Sequence, residues 1–398
     1  MLYKLSIENF FSIADRQELV LPVPHNTPEL PCFVPSRSDK DIRLPIVVGI
    51  FGSNASGKST ILRALVSTAL FGIHSFDWQA GNIGFFFQPY RQKNWMKKPT
   101  IITLEFDSEL NANTQSAKFR YELHISHDTN HFLDKIISYE ALSYAPEGKF
   151  RTLFKRKGQT IQFGKDFCIA NSDPRKESIR PNASVISTLA KLNHQPSMNL
   201  CRLASAIQTN SIGFERIQPN PNQWLTTYAN DKNCLDRLNK ELRRFDVGLE
   251  YMSIEKGDQG LIAKFQHSGL DGFIYLVEES SGTRRFIEIF LRLYYALETG
   301  SFAVIDEIDS DLHPLLLPEL LRWFSNADRN PRGAQLFFTA HNPALLDDLE
   351  KEQVFFTEKP CGEPTHLYGA RDIQGLRREP SLMKKYLAGE LGAVPHIG

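Results

Sequence analysis

Nothing in this 398-residue chain approaches the ~20 consecutive apolar residues needed to cross a bilayer. The opening Met1-Leu2-Tyr3-Lys4-Leu5-Ser6 lacks the charged region, apolar core and cleavage site of a secretory signal, so a cytoplasmic protein with no membrane part is expected. Cysteine is scarce. Cys32, Cys168, Cys201, Cys234 and Cys361 are odd in number, scattered and without C-x-x-C spacing, which reads as free thiols in a reducing compartment rather than a disulfide framework. Net charge is missing as well: Lys plus Arg and Asp plus Glu both total 46. No overall basic field draws the chain to nucleic acid, and any contact with DNA must come from a local patch. Two stretches qualify, 91–98 with Trp95 at its centre, and Lys149, Arg151, Lys155, Arg156 and Lys157. Solvated loops and hairpin tips produce the same runs. Repeats, low-complexity tracts and coiled-coil heptads are absent too, which excludes solenoids and long-armed architectures.

What is present is a globular composition, 41% hydrophobic and 23% charged, in a chain long enough for two or three domain-sized units. Residues 2–9 and 17–22 alternate well enough to predict a hairpin, and the prolines between Pro22 and Pro45 make the next stretch a surface loop or lid. The run 46–51 predicts a buried strand, followed by a helix through Phe71. Between about 100 and 163 a period of two recurs in five segments, with turns at Glu147-Gly148 and Lys157-Gly158, predicting an antiparallel meander. Residues 166–250 lose this alternation, and Leu235, Leu238, Leu242 and Phe245 stand at helical spacing, so a mainly helical insertion is expected there. Strands near 251–256 and 260–266 are followed by a helix at 281–298, a buried strand at 302–306, a helix at 315–326, a buried strand at 335–340 and a helix at 342–350. The pattern predicts one α/β domain formed by 1–165 and 251–398 together, with 166–250 inserted.

Four constellations carry chemistry. The first is Gly52-Ser53-Asn54-Ala55-Ser56-Gly57-Lys58-Ser59-Thr60, directly after the buried strand. A triphosphate needs several backbone N–H groups converging on it, and glycines at the tight positions let the chain wrap that closely. The helix start adds unpaired N–H groups and a positive dipole end, Lys58 a point charge, and the Ser59 hydroxyl a ligand for magnesium. The second is Asp306-Glu307 at the end of a buried strand. If that strand lies beside the one at 46–51, Asp306 falls near magnesium and Glu307 near the outer phosphate, where it can deprotonate a water; helix capping is the other reading of such a pair. The third is Glu279-Ser280-Ser281-Gly282-Thr283 before a helix, which suits a capping box or a second phosphate-binding surface. The fourth is Thr339-Ala340-His341-Asn342, where a buried strand delivers a histidine that is either structural or functional.

In this order the four constellations resemble the nucleotide-binding domain of ABC-type ATPases, and the fold that this implies is α/β, an ABC-type P-loop ATPase with an antiparallel β meander subdomain and a helical insertion. In Glu279-Ser280-Ser281-Gly282-Thr283, glutamate replaces the signature's usual leucine, serine its first glycine and threonine its last glutamine. Ser310-Asp311-Leu312-His313 falls at the D-loop, and His341 at the switch histidine. Closer still, the chain is similar to the standalone bacterial AAA-family ATPases of abortive-infection and phage-defence loci, related to RecF, SMC and OLD proteins. Ile7-Glu8-Asn9-Phe10-Phe11-Ser12, Ile305-Asp306-Glu307-Ile308-Asp309 and Tyr386-Leu387-Ala388-Gly389-Glu390-Leu391-Gly392-Ala393-Val394-Pro395 carry that likeness, with Phe11 standing where the group has a basic residue. The resemblance implies ATP and magnesium as ligands, Lys58, Glu307 and His341 as catalytic residues, and Ser59, Asp306 and Gln88 around the metal. It further implies a second copy of the chain, whose Ser280, Ser281 and Gly282 complete the site, and an effector partner such as a nuclease. A RecF- or SMC-like repair ATPase binding DNA directly is the alternative. A transporter subunit fits poorly, because the β-rich interruption separates the phosphate loop from the signature.

Overall fold

The computed structural model describes residues 1–79, 82–111, 115–127, 135–212, 215–216, 221–245, 248–257, 260–376 and 381–394; Pro395, the last residue of the closing motif, lies outside them. Its centre is a six-stranded sheet in the spatial order Gln208–Thr209, Phe302–Ile305, Gln335–Thr339, Val47–Phe51, Val354–Glu358 and His366–Gly369. Every neighbouring pair is parallel except the last, which is antiparallel. The strand ending at Asp306 is therefore not the neighbour of Val47–Phe51. Gln335–Thr339 separates them, paired on one side through Val304 with Phe337 and on the other through Phe337 with Val48. Side-chain pattern could not settle this order, since all three strands are apolar on both faces.

Alternation along these strands sorts side chains into two cores. Val48, Ile50, Val304, Phe337 and Phe355 point to one side, where they join the phosphate-loop helix Lys58–His74 and the large antiparallel sheet. Val47, Phe51, Ala303, Ile305, Leu336, Phe338 and Phe356 point to the other, against the helices Ser281–Thr299 and Leu316–Ser325. A strand covered on both faces has no polar side to display, which is why these segments read as unbroken apolar runs.

The large antiparallel sheet has seven strands, in the order Thr160–Phe163, Arg151–Lys157, Lys135–Ala145, Ala117–His127, Thr100–Ser108, Leu2–Glu8 and Gln17–Val20. The N-terminal hairpin and the five-stranded meander are thus one sheet, joined through Leu2–Glu8 and Thr100–Ser108. The described helices between 166 and 250 serve both cores. Val185–Lys191 and Gln195–Ser205 bury Val185, Leu189 and Leu200 against the phosphate-loop side, whereas Pro221–Asn230 and Lys232–Phe245 bury Tyr228, Leu238 and Leu242 on the other. Between them Gln208–Thr209 adds the edge strand beside Phe302–Ile305. The helix expected over 342–350 is a 3-10 segment, Pro343–Asp348, started by Asn342, whose side chain accepts from the Ala344 N–H. A second 3-10 turn, Lys351–Gln353, follows before the next strand, and runs this short favour the tighter turn. Val354–Glu358 and His366–Gly369 complete the sheet without having been anticipated.

Candidate nucleotide site

The phosphate loop is shaped as much by what lies behind it as by any ligand in front. Gly52 has φ +148°, and a Cβ there would stand 2.3 Å from the Thr357 carbonyl oxygen. Gly57 has φ +106°, and its Cβ would stand 2.4 Å from Thr365 Oγ1. Both positions combine a left-handed backbone with no room for a side chain. Hydroxyl groups brace the loop from the same direction: Ser56 Oγ lies 2.7 Å from Thr357 Oγ1, and Thr365 Oγ1 donates to the Ser56 carbonyl at 2.8 Å. Ser12 Oγ approaches Thr60 Oγ1 at 3.1 Å, so the N-terminal motif touches the loop directly.

Lys58 opens the helix that follows, and its Nζ donates to the carbonyls of Gly52 at 2.9 Å and Ser53 at 3.0 Å. Burial lowers its pKa, with Asp306 and Asp309 opposing the shift. Those carboxylates keep a cation favourable inside the loop, where it can meet phosphate oxygens. Ser59 Oγ donates to Asp306 Oδ1 at 2.9 Å. The loop and the acidic strand end therefore meet in the folded chain.

Asp306 is buried and fixed on every side. Thr339 Oγ1 donates to its Oδ1 at 2.6 Å and accepts the Glu307 N–H at 2.7 Å, so the intervening strand joins the two acidic residues through one hydroxyl. Asn210 holds the Asp306 backbone from the other flank. Glu307 takes a left-handed φ of 47°, and its Oε1 lies 3.7 Å from His341 Nε2. Asp309 Oδ2 accepts the N–H groups of His341 at 2.8 Å and Asn342 at 2.6 Å, which fixes the end of the histidine strand.

Gln88 is buried in the cleft that Ser12, Thr60 and Arg63 also line. Its Nε2 donates to the Gly84 carbonyl, while its Oε1 has no hydrogen-bond partner. Burial lowers the pKa of Arg63, with Asp306 opposing the shift, and the Arg63 guanidinium lies 4.7 Å over the Phe11 ring. Ser59 and Asp306 supply hard oxygens 2.9 Å apart that suit a magnesium ion, which is held by one or two carboxylates plus phosphates rather than by a protein cage; the Gln88 side chain lines a cleft with Ser12, Thr60 and Arg63. Among the described residues no cluster of three or more His, Cys, Asp or Glu side chains is shaped to hold a metal by itself.

Ser280 sits at the N-cap of Ser281–Thr299, its Oγ accepting the Thr283 N–H at 3.0 Å, so a capping bond is present. Ser280 and Ser281 are exposed, and a Cβ on Gly282 would lie 3.1 Å from the Asp311 carbonyl. Sequence reasoning gave no role to Thr339, Thr357, Thr365 or Asn210. Thr339 ends a recognised strand and was within reach of it, while the others had no local signal. Of the second basic stretch, Arg156 is wholly buried, 3.6 Å from Glu140, and donates to the Ala183 carbonyl at 2.7 Å, so it is no surface contact for nucleic acid. All five cysteines are free. Among the described residues no helix is long and apolar enough to cross a membrane.

A family model described as "AAA domain, putative AbiEii toxin, Type IV TA system" matches residues 47–347. No curated protein matches the chain. Solved structures similar to it include the SMC head domain from Thermotoga maritima, 14% identical, covering 92% of this chain and 98% of that one at a TM-score of 0.45. An SMC head bound to the C-terminal winged-helix domain of ScpA is 13% identical, with 96% and 99% covered and a TM-score of 0.46. A Pyrococcus furiosus SMC head with an extended coiled coil, bound to the C-terminal domain of ScpA, is 12% identical, with 98% of each chain covered and a TM-score of 0.43.

Proposed function

The chain belongs to this AAA-domain family, and from that premise we propose that it is an ATP-hydrolysing switch whose site is completed by a second copy of itself. The observation that carries this reading is the 2.9 Å bond from Ser59 to Asp306, which brings the phosphate loop to the acidic strand end, with Glu307 the next residue. The amides of residues 52–60, the positive helix end and Lys58 bind the triphosphate. Magnesium, when bound at Ser59, Asp306 and Gln88, supplies charge neutralisation at the phosphate oxygens. Glu307 orients a water and takes its proton, and His341, 3.7 Å from that carboxylate, holds the γ-phosphate end. Ser280, Ser281 and Gly282 of a second copy present an exposed helix N-terminus to the same phosphate. ATP thereby favours the closed pair, and hydrolysis removes the contact that favoured it.

Such a cycle changes shape rather than making a metabolite, and we place the chain as a cytoplasmic regulator that controls a partner effector, such as a nuclease, in abortive infection; the toxin of a toxin–antitoxin system named in the family description supports the defence setting alone. The test is phosphate release by the purified protein beside Glu307→Gln. The variant should lose about 100-fold or more in turnover, retain ATP and accumulate as a dimer on gel filtration. Equal turnover by the two proteins removes Glu307 from its role. A second reading, direct DNA contact, is favoured by one observation. Buried Asn9 donates to the carbonyls of Trp95 at 2.9 Å and Lys98 at 2.8 Å, holding out a loop whose Arg91, Lys93, Lys97 and Lys98 are exposed. Stimulation of hydrolysis by duplex DNA, lost when these four are neutralised, would support it.

A further inference from the structure

Gln208–Thr209 is only two residues long, yet it pairs in parallel register with the acidic strand, Thr209 opposite Val304. The ladder then stops two residues before the chemistry begins. Beyond it, Asp306 has an N–H and a carbonyl that no edge strand reaches, and both are buried. Asn210 takes over there with its side chain. Its Oδ1 accepts the Asp306 N–H at 2.8 Å, and its Nδ2 donates to the Asp306 carbonyl at 2.8 Å. An amide side chain offers one acceptor and one donor a peptide's width apart, so it imitates the missing backbone partner. Asn210 is itself 0% exposed. Its amide is therefore committed to this one task.

The consequence falls on the carboxylate. The Asp306 side chain receives Ser59 Oγ and Thr339 Oγ1 on the same oxygen, Oδ1, and Glu307 follows with a left-handed backbone. A peptide free to rock at Asp306 would turn that carboxylate away from Ser59 and would carry Glu307 with it. We infer that Asn210 is a positioning residue for the metal carboxylate, through which the segment 208–210 sets the affinity of the site for magnesium. The inference rests on the assignment of Asp306 to magnesium, and it gives part of the 166–250 segment a defined task. Groups that hold a metal ligand from outside commonly change metal affinity or activity by 10–100-fold when removed.

The experiment measures ATP turnover against magnesium concentration for wild type, Asn210→Ala, Asn210→Asp and Asp306→Asn, with ATP affinity in EDTA and thermal melting of each. In Asn210→Ala the half-saturating magnesium concentration should rise about tenfold, with metal-free ATP affinity unchanged. Asn210→Asp keeps the acceptor for the Asp306 N–H but sets a carboxylate oxygen against its carbonyl at a fully buried position, so its shift should be at least as large and in the same direction. A folded Asn210→Ala protein with wild-type magnesium dependence overturns the inference and leaves the ATPase reading standing. If that variant does not fold, an unshifted Asn210→Asp decides in the same way. Wild-type turnover in Asp306→Asn overturns the metal assignment and this inference together.

Discussion

The phosphate loop and the helix start proposed to complete its site lie on the two faces of the six-stranded sheet, and they are built differently. On the meander side, the phosphate loop is bonded to elements far along the chain, through Ser56 to Thr357, Thr365 to the Ser56 carbonyl and Ser59 to Asp306. On the other side, Ser281–Thr299 is capped by its own Ser280, and that helix N-terminus is exposed. The first element depends on long-range bonds within one fold. The second is local, with Ser280 and Ser281 exposed, an arrangement that suits the proposed two-copy site.

The largest effect should come from Lys58→Ala, which breaks the meander-side element at its charge. ATP affinity should fall about 100-fold, the scale for losing one preorganised charge in a site, as read by calorimetry. Ser280→Asp tests the other face more selectively. Aspartate caps a helix about as well as serine, so the melting temperature should hold, whereas a carboxylate facing a triphosphate should reduce turnover at least about tenfold. Unchanged turnover would return the motif to capping alone. Mixing the two variants should restore part of the activity, because a mixed pair carries one site with an intact loop and an intact Ser280. No recovery on mixing would break the shared-site model.

The smallest effect concerns stability on the meander side. His194 is buried there, Nε2 2.7 Å from the Phe167 carbonyl and Nδ1 2.9 Å from Ser197 Oγ, and burial lowers its pKa. Between the lowered folded value and the ordinary unfolded one, the unfolded chain binds more protons. Stability is therefore complete above the ordinary imidazole range and falls as pH drops through that window. Melting temperature measured from about pH 7.5 to 5 should decline, and less steeply in His194→Gln.

How much of this was legible in sequence follows from how local each signal is. The phosphate loop reads directly because its spacing is dictated by the ligand, and Asp306-Glu307 because strand ends in such sheets face ligands. The meander reads because one face of each strand alternates. Strand order does not read: nothing in Gln335–Thr339 says that it lies between Val47–Phe51 and Phe302–Ile305. Val354–Glu358 is a run of the same kind with no motif at its end, and such a short apolar run does not by itself tell strand from helix. Asn210 is a lone asparagine in a polar stretch. Its partner is a backbone 96 positions away, and backbone partners leave no trace in residue type.

The order of strands also bears on synthesis. Val47–Phe51 is made early, but both its partners, Gln335–Thr339 and Val354–Glu358, are made late, and Gln335 meets Pro45 across 290 positions. Pairings this remote form slowly, since a long loop must close before any contact rewards it. The nascent phosphate loop therefore waits, unbraced by Thr357 and Thr365, until most of the chain has left the ribosome. A truncated translation product lacking those strands would carry the whole Gly52–Thr60 stretch without the Thr357 and Thr365 bonds that shape it.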